Sequence, residues 1–189
     1  MISPCKRLLY KIIAFCTKFI GKIHIPFSRK KLGEDDVNEM VACMQPGDVI
    51  LTRTNGEGST AAIPGYWKHS ALYIGNGSII DATDRGVRER PLWAMIMKTD
   101  RYSILRLKDI TPDEANILVN EAKTHIGKAY DHKLQVDNDD EIFCSELVYG
   151  GVEVIRPGYL PLEDIWGFDT YTPNNIYESD KFTLLKEKK

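Results

Sequence analysis

With 189 residues, 43% of them apolar and 28% charged, the chain is long enough for one globular domain with a sizeable core, and a formal net charge of -2 speaks against a nucleic-acid partner. The charge is unevenly placed: of 25 basic residues eight fall in the first 33 positions, which hold no acid, so the remaining 17 face 27 acidic residues. Four cysteines, at 5, 16, 43 and 144, with no C-x-x-C, exclude a dense disulfide scaffold, a zinc ribbon and a thioredoxin-type motif.

Residues 5–25 place apolar side chains at 8, 9, 12, 13, 16, 19, 20 and 23, with Arg7, Lys11, Lys18 and Lys22 on the other side. That spacing predicts a basic amphipathic helix, set off as residues 1–33 from a domain over 34–189. It either docks on the domain or lies on an anionic membrane surface. The longest apolar run, 12–16, falls far short of the ~20 residues that cross a bilayer. Lys11 interrupts any signal-peptide core. The compartment stays open between cytoplasm and cell envelope.

Next, Asp35 and Asp36 are placed to cap a short helix with Val37, Met40, Val41 and Met44 as its stripe, ended by Pro46-Gly47-Asp48. Strands are expected over 49–53, 69–74, 78–83, 87–90 and 102–107, with a Gly/Ser/Thr loop over 55–64 and a helix begun by Pro91. Thr111-Pro112 starts a helix that carries Ile117, Leu118, Ala122 and Ile126 to Gly127. After a polar loop, 137–141, a helix opens at Cys144 and runs to about Ile155, before Pro157; Thr172-Pro173 opens a last short helix and 182–185 a closing strand. Strands first and helices later predict an α+β fold. Cys16 and Cys43 fall at apolar-periodic positions and read as buried small hydrophobes.

The hairpin register decides whether His69 has a carboxylate partner. A three-residue loop, Gly75-Asn76-Gly77, with Gly77 at the bulge position, pairs Ala71 with Asp81 and His69 with Thr83. It gathers Leu72, Ile74, Ile80 and Ala82 on one face as a core set, and His69, Ala71, Tyr73, Ile79, Asp81 and Thr83 on the other. Asp81 is then a diagonal neighbour of His69, with Cβ atoms roughly 7 Å apart; Asp84 is the fallback. At the head of its helix the Cys144 thiol meets unpaired N–H groups and the positive end of the dipole, which lower a thiol pKa from about 8.5. Those residue types predict that Cys144 attacks an acyl carbon, His69 shuttles the proton to the leaving group, and Asp81 orients His69.

Other chemistry-bearing residues have plainer readings. Glu146 suits the first helical turn as an acid, Tyr130-Asp131 ends a helix after Gly127-Lys128-Ala129, His125 complements a helix C-terminus, and His132 reads as surface. Tyr66 and Trp67 either line a cleft or cover the core edge. No cofactor motif is present, and a metal site built from His69, Asp81 and Cys144 lacks any recognisable spacing.

The segments Pro46-Gly47-Asp48-Val49-Ile50, His69-Ser70-Ala71-Leu72-Tyr73-Ile74-Gly75, Ile79-Ile80-Asp81-Ala82, Gly127-Lys128-Ala129-Tyr130-Asp131 and Phe143-Cys144-Ser145-Glu146-Leu147-Val148 together resemble the permuted papain-like cysteine hydrolases, the YiiX-like branch of the NlpC superfamily. The resemblance spans roughly residues 46–180 and leaves out the leader. It implies a circularly permuted papain-like fold, an antiparallel sheet or partial barrel against the nucleophile-bearing helix, with the histidine strand before the cysteine helix. It also implies His69, Asp81 and Cys144 as the catalytic set. Two positions depart from the pattern: Asp81 stands where relatives often carry Glu, and Ala129 where proline commonly precedes Tyr-Asp. Acyl-enzyme chemistry on an amide of a small peptide or peptide-like conjugate is the leading expectation. A lipid acyltransferase of the lecithin retinol acyltransferase type, favoured by the basic leader over 5–25, and a non-catalytic ligand-binding module are the alternatives.

Overall fold

The computed structural model describes residues 32–55, 63–134, 136, 140–165 and 168–189. The helix expected over 5–25, with Cys5 and Cys16, lies outside them, as does most of the 55–64 loop. The first described helix, α1 (Glu34–Cys43), is capped by extended Gly33 rather than by Asp35 or Asp36. Asp36 serves from inside the first turn, where its carboxylate accepts the Gly33 N–H at 2.9 Å. The buried stripe runs through Asp36 and Met40, with Val37 and Met44 partly covered, and is too narrow to take in position 43. Cys43 is therefore exposed, against expectation, its thiol donating to the Met40 carbonyl at 3.2 Å.

Six strands form one antiparallel sheet: β1 (Val49–Arg53), β2 (His69–Gly75), β3 (Ser78–Thr83), β4 (Gly86–Pro91), β5 (Arg101–Leu107) and β10 (Phe182–Lys188), in the order β10-β5-β1-β2-β3-β4. Alternation along these strands sends Val49, Leu51, Leu72, Ile80 and Leu105 to one face. There they meet Leu118, Val119 and Ala122 of α3 (Pro112–Thr124) and Leu147, Val148 and Val152 of α4 (Cys144–Ile155). Ile50, Ala71, Tyr73, Ile79 and Ile104 go to the opposite face, against Met40 of α1 and Leu92, Met95 and Ile96 of α2 (Leu92–Ile96). Both faces are core, and the sheet does not close into a barrel.

The β2–β3 register is the expected one, Leu72 opposite Ile80 and Tyr73 opposite Ile79, but the turn differs. Asn76 and Gly77 both take positive φ, 52° and 69°, as a two-residue turn demands. The extra residue is absorbed on β2 between Tyr73 and Gly75, with Gly75 at φ 95° in place of the expected bulge at Gly77. Past Leu72 and Ile80 the two strands part. The expected Ala71–Asp81 and His69–Thr83 pairs do not form, although on their other edges β2 stays paired with β1 (His69 opposite Thr52) and β3 with β4 (Asp81 opposite Arg88). The side chains of His69 and Asp81 meet at this parting.

Thr111 caps α3 as expected, accepting the Glu114 N–H at 3.2 Å, but the helix ends at Thr124 with His125 as its C-cap, short of Gly127. Residues 129–130 do not end a helix either: Ala129–Tyr130 is β6, parallel to β7 (Glu141–Ile142), the strand that leads into α4. Two hydrogen bonds of 3.0 Å, Val87 N–H to the Lys128 carbonyl and Gly127 N–H to the Val87 carbonyl, hold this segment on β4. The approach is so close that a Cβ at Gly86 would come within 2.5 Å of the Lys128 oxygen. The chain closes with β8 (Glu163–Ile165), β9 (Phe168–Thr170), α5 (Pro173–Glu178) and β10.

Buried Asn174 of α5 clamps the segment that leads into β2. Its Oδ1 accepts the Tyr66 and Trp67 N–H groups at 2.7 and 3.2 Å, and its Nδ2 donates to the Pro64 and Trp67 carbonyls at 2.7 and 2.9 Å. Trp67 is fully buried in the core, so of its two readings the core one holds, while Tyr66 is exposed. Asn174→Ala strands four main-chain groups at once and is expected to cost about 3 kcal/mol. A urea titration showing a loss under about 1 kcal/mol would contradict the clamp.

Candidate active site

The site is built from five elements, β2, β3, β4, β6 and α4, that meet where β2 and β3 separate. Cys144 is the first residue of α4 and almost fully buried. Its helix terminus is tied down on both sides: the Ser145 hydroxyl donates to the Tyr171 carbonyl at 2.6 Å, and the Glu146 carboxylate accepts the Phe143 N–H at 3.2 Å. Glu146 is thus a capping acid, as its position suggested.

His69, at the start of β2, meets the Asp81 carboxylate through Nε2 at 2.8 Å. This leaves Nδ1 as the ring nitrogen for the thiol side. Asp81 is fully buried and holds a second partner: the Arg90 Nε donates to Oδ1 at 2.9 Å and Nη2 donates to Oδ2, the oxygen that also meets His69. The carbon lost by having Asp at this position does not break the contact.

The electrostatics couple these groups. Burial opposes a charge on His69, but Asp81 and the Cys144 sulfur outweigh it and raise its pKa to about 10. Burial likewise works against the Asp81 anion, and His69 and Arg90 overcome it, holding the carboxyl at about 2. Burial pushes the Cys144 thiol up, while His69 and the Ser70 main chain pull it down, and the net direction is below an ordinary thiol. Each group favours the charged form of the other, so the pair is biased toward a thiolate beside an imidazolium. By linkage, the His69 contribution to stability is full below about 6.5 and fades as pH rises through about 10. That of Asp81 is full above about 3.8 and fades as pH falls through about 2.

The three residues expected from the sequence are thus brought together, and the fallback Asp84 is exposed and does not reach His69. Two participants were not foreseen. The Tyr130 hydroxyl also interacts with the Cys144 sulfur, and its pKa is pushed up by burial and by the charges of Cys144 and Asp131. The Gly127-to-Asp131 motif was visible, but not the parallel pairing of β6 with β7 that aims it. Arg90 was readable in principle: the turn that sets Thr83 opposite Gly86 also sets Arg90 opposite Ile79, two residues from Asp81 on the same face. The other two described histidines have partners of their own. His125 pairs with Glu121 at 3.2 Å, and His132 packs edge-on to Tyr130 with ring centres 5.0 Å apart, half-buried rather than on the surface.

Beside the sulfur is a small cavity of about 10 Å³ lined by Ile63, Leu134, Phe143, Tyr171 and Pro173 among others. It has room for about one water and not for an acyl group.

An antiparallel sheet carrying His69 and Asp81 on adjacent strands, followed in the chain by a helix that opens with a buried cysteine, defines the papain-like fold in its permuted order. The chain belongs to the permuted papain-like amidases of the YaeF/YiiX family, peptidase family C92, whose family model matches residues 43–186. Among solved structures it is similar to the crystal structure of metalloprotein YiiX from Escherichia coli O157:H7. The TM-score is 0.68 and the identity 17%, with 77% of this chain and 98% of that one covered. No curated protein matches the chain. Among the described residues no helix is long and apolar enough to cross a membrane.

Proposed function

We propose that this amidase-family chain is a thiol hydrolase that cleaves a small peptide or peptide-like amide through a Cys144 thioester. The observation that carries the reading is the buried thiol at the α4 N-terminus, beside an imidazole whose far nitrogen is held by Asp81 at 2.8 Å. The Cys144 thiolate attacks the amide carbon, forming the C–S bond while the carbonyl π pair moves to oxygen. This reading assigns the stabilisation of that oxyanion to N–H groups at the head of α4 and to the Tyr130 hydroxyl, which interacts with the Cys144 sulfur. As the oxyanion collapses the C–N bond breaks, and the departing nitrogen takes the proton from His69 Nδ1. Water then adds to the thioester with His69 accepting its proton, the C–S bond breaks, and the free acid and the thiol pair return.

The structural relative is titled a metalloprotein. The residues here do not fit a cation: both Asp81 oxygens are taken by the Arg90 guanidinium, whose charge repels a metal, and one of them also holds His69. No other group of three His, Cys, Asp or Glu side chains among the described residues is arranged to hold one.

The test is an acyl-enzyme trap. The protein is mixed with panels of activated peptide amides and of lipid esters and quenched in acid, and intact mass is read for an adduct that maps to Cys144. An adduct from the amides that decays in water supports the hydrolase. An adduct from lipid esters alone would replace it with the acyltransferase reading, and a ligand bound without any adduct would point to a binding module.

A further inference from the structure

We propose that Arg90, acting through Asp81, sets the acidity of the Cys144–His69 pair, so that His69 can release its proton to the leaving group; this rests on the thiol hydrolase reading. Arg90 is a positioning residue, since it touches neither the sulfur nor a substrate.

The geometry is a fork. Arg90 projects from β4, the outermost strand of the sheet, and engages both Asp81 oxygens, which are fully buried. Its side chain makes no other hydrogen bond among the described residues. A bidentate guanidinium fixes the plane of the carboxylate, so Asp81 cannot turn away while His69 changes charge. Lone-pair accounting agrees, because three donors converge on the two oxygens and one of them, His69, is the only donor whose charge changes in the reaction.

A buried carboxylate facing histidine alone is compensated only while the histidine is protonated. At the step where His69 gives its proton to the departing nitrogen, such an Asp81 would be left as an unpaired buried anion and would hold the proton back. The permanent positive charge of arginine removes that penalty. It keeps Asp81 ionised in both states of His69 and weakens the pull of Asp81 on the imidazolium.

No neighbouring group takes over this task. Arg88, directly opposite Asp81 in the ladder, turns its Nη2 to the Thr83 hydroxyl at 3.5 Å. Lys68, next to His69, donates to the Ile63 carbonyl, and Arg53 is engaged with Asn55 and the Tyr66 carbonyl. Asp84 is exposed, and its charge reaches Tyr130 rather than His69. Cys144 from α4 and Tyr130 from β6 complete the set around the imidazole, one as the coupled acid and the other as a neutral phenol on the sulfur.

The sign of the effect separates charge tuning from simple support. Removing one positive charge destabilises the thiolate and stabilises the imidazolium, so in Arg90→Gln both apparent pKa values should rise, by about one pH unit each. Were Arg90 merely a prop, its loss would release Asp81 and let the His69 value fall. The experiment follows Cys144 by the pH dependence of iodoacetamide alkylation and His69 by ¹⁵N NMR of histidine-labelled protein, the signal assigned by its absence in His69→Asn. A rise of both values supports the proposal; an unmoved or lowered His69 overturns it. Arg90→Lys keeps the charge and loses the fork. It should leave both values within about half a pH unit of wild type, and a full-unit movement of either overturns the charge account even if Arg90→Gln fails to fold. A wild-type Cys144 that titrates like an ordinary thiol would instead sink the hydrolase reading, and this inference with it.

Discussion

Cys144→Ala is expected to abolish amide hydrolysis, lowering kcat by roughly 10⁴-fold or more, while leaving the fold intact. The fold should survive because α4 is held by Leu147, Val148 and Val152 in the core, by the Ser145 bond to Tyr171 and by the Glu146 cap, none of which uses the sulfur. The same substitution removes the partner that helps charge His69, so the imidazole should titrate below its value of about 10 while staying supported by Asp81. Activity against the amide identified by trapping, thermal melting and the histidine NMR titration check the three parts separately. An active Cys144→Ala protein would remove the nucleophile from the mechanism, whereas an inactive protein that no longer folds would return the residue to the core.

The second large effect concerns His69. In His69→Ala the burial that pushes the Cys144 thiol up is no longer opposed by the imidazolium, so the thiol should return to about 8.5 or above. The direction with pH follows. In the wild type the imidazolium lowers the thiol, so alkylation by iodoacetamide should set in at a lower pH than for an ordinary thiol. In the variant roughly one molecule in a hundred is ionised at pH 6.5, and the rate there should fall below that of the wild type, recovering as pH rises through the ordinary thiol range. Equal rates for both proteins at pH 6.5 would mean that the imidazole does not act on the sulfur. Asp81→Asn should give an intermediate result, because the ring loses its carboxylate but keeps its place beside Cys144.

How much of this was legible in the chain depends on the range of the interaction that decides each feature. Thr111-Pro112 and Thr172-Pro173 start helices where they were read, because a cap is a contact within three residues. The strands at 49–53 and 78–83 match to the residue, since alternation and flanking turns are local. The register that sets Leu72 opposite Ile80 came from matching the apolar faces of one hairpin, and it held even though the bulge moved from Gly77 to Gly75. Cys43 was misplaced because the width of a buried stripe depends on what packs against the helix, and periodicity carries no information about that. For Tyr130, an apparent helix end became a strand because its hydrogen bonds go to residues more than ten positions away.

By itself, then, the sequence determined the order of the longer elements, the α+β class, a histidine and a cysteine at the heads of a strand and a helix, and an aspartate within the strand after the histidine. These are properties of short segments, governed by backbone propensity, capping and the two-residue period of a strand. Only the tertiary structure decided that β2 and β3 part beyond Leu72 and Ile80, that His69 and Asp81 are joined by their side chains instead of by a ladder, and that Arg90 and Tyr130 close on the pair from β4 and β6. Those outcomes come from packing α4 onto one face of a twisted sheet and from the cost of leaving a buried carboxylate unpaired, and such energies exist only once distant segments meet.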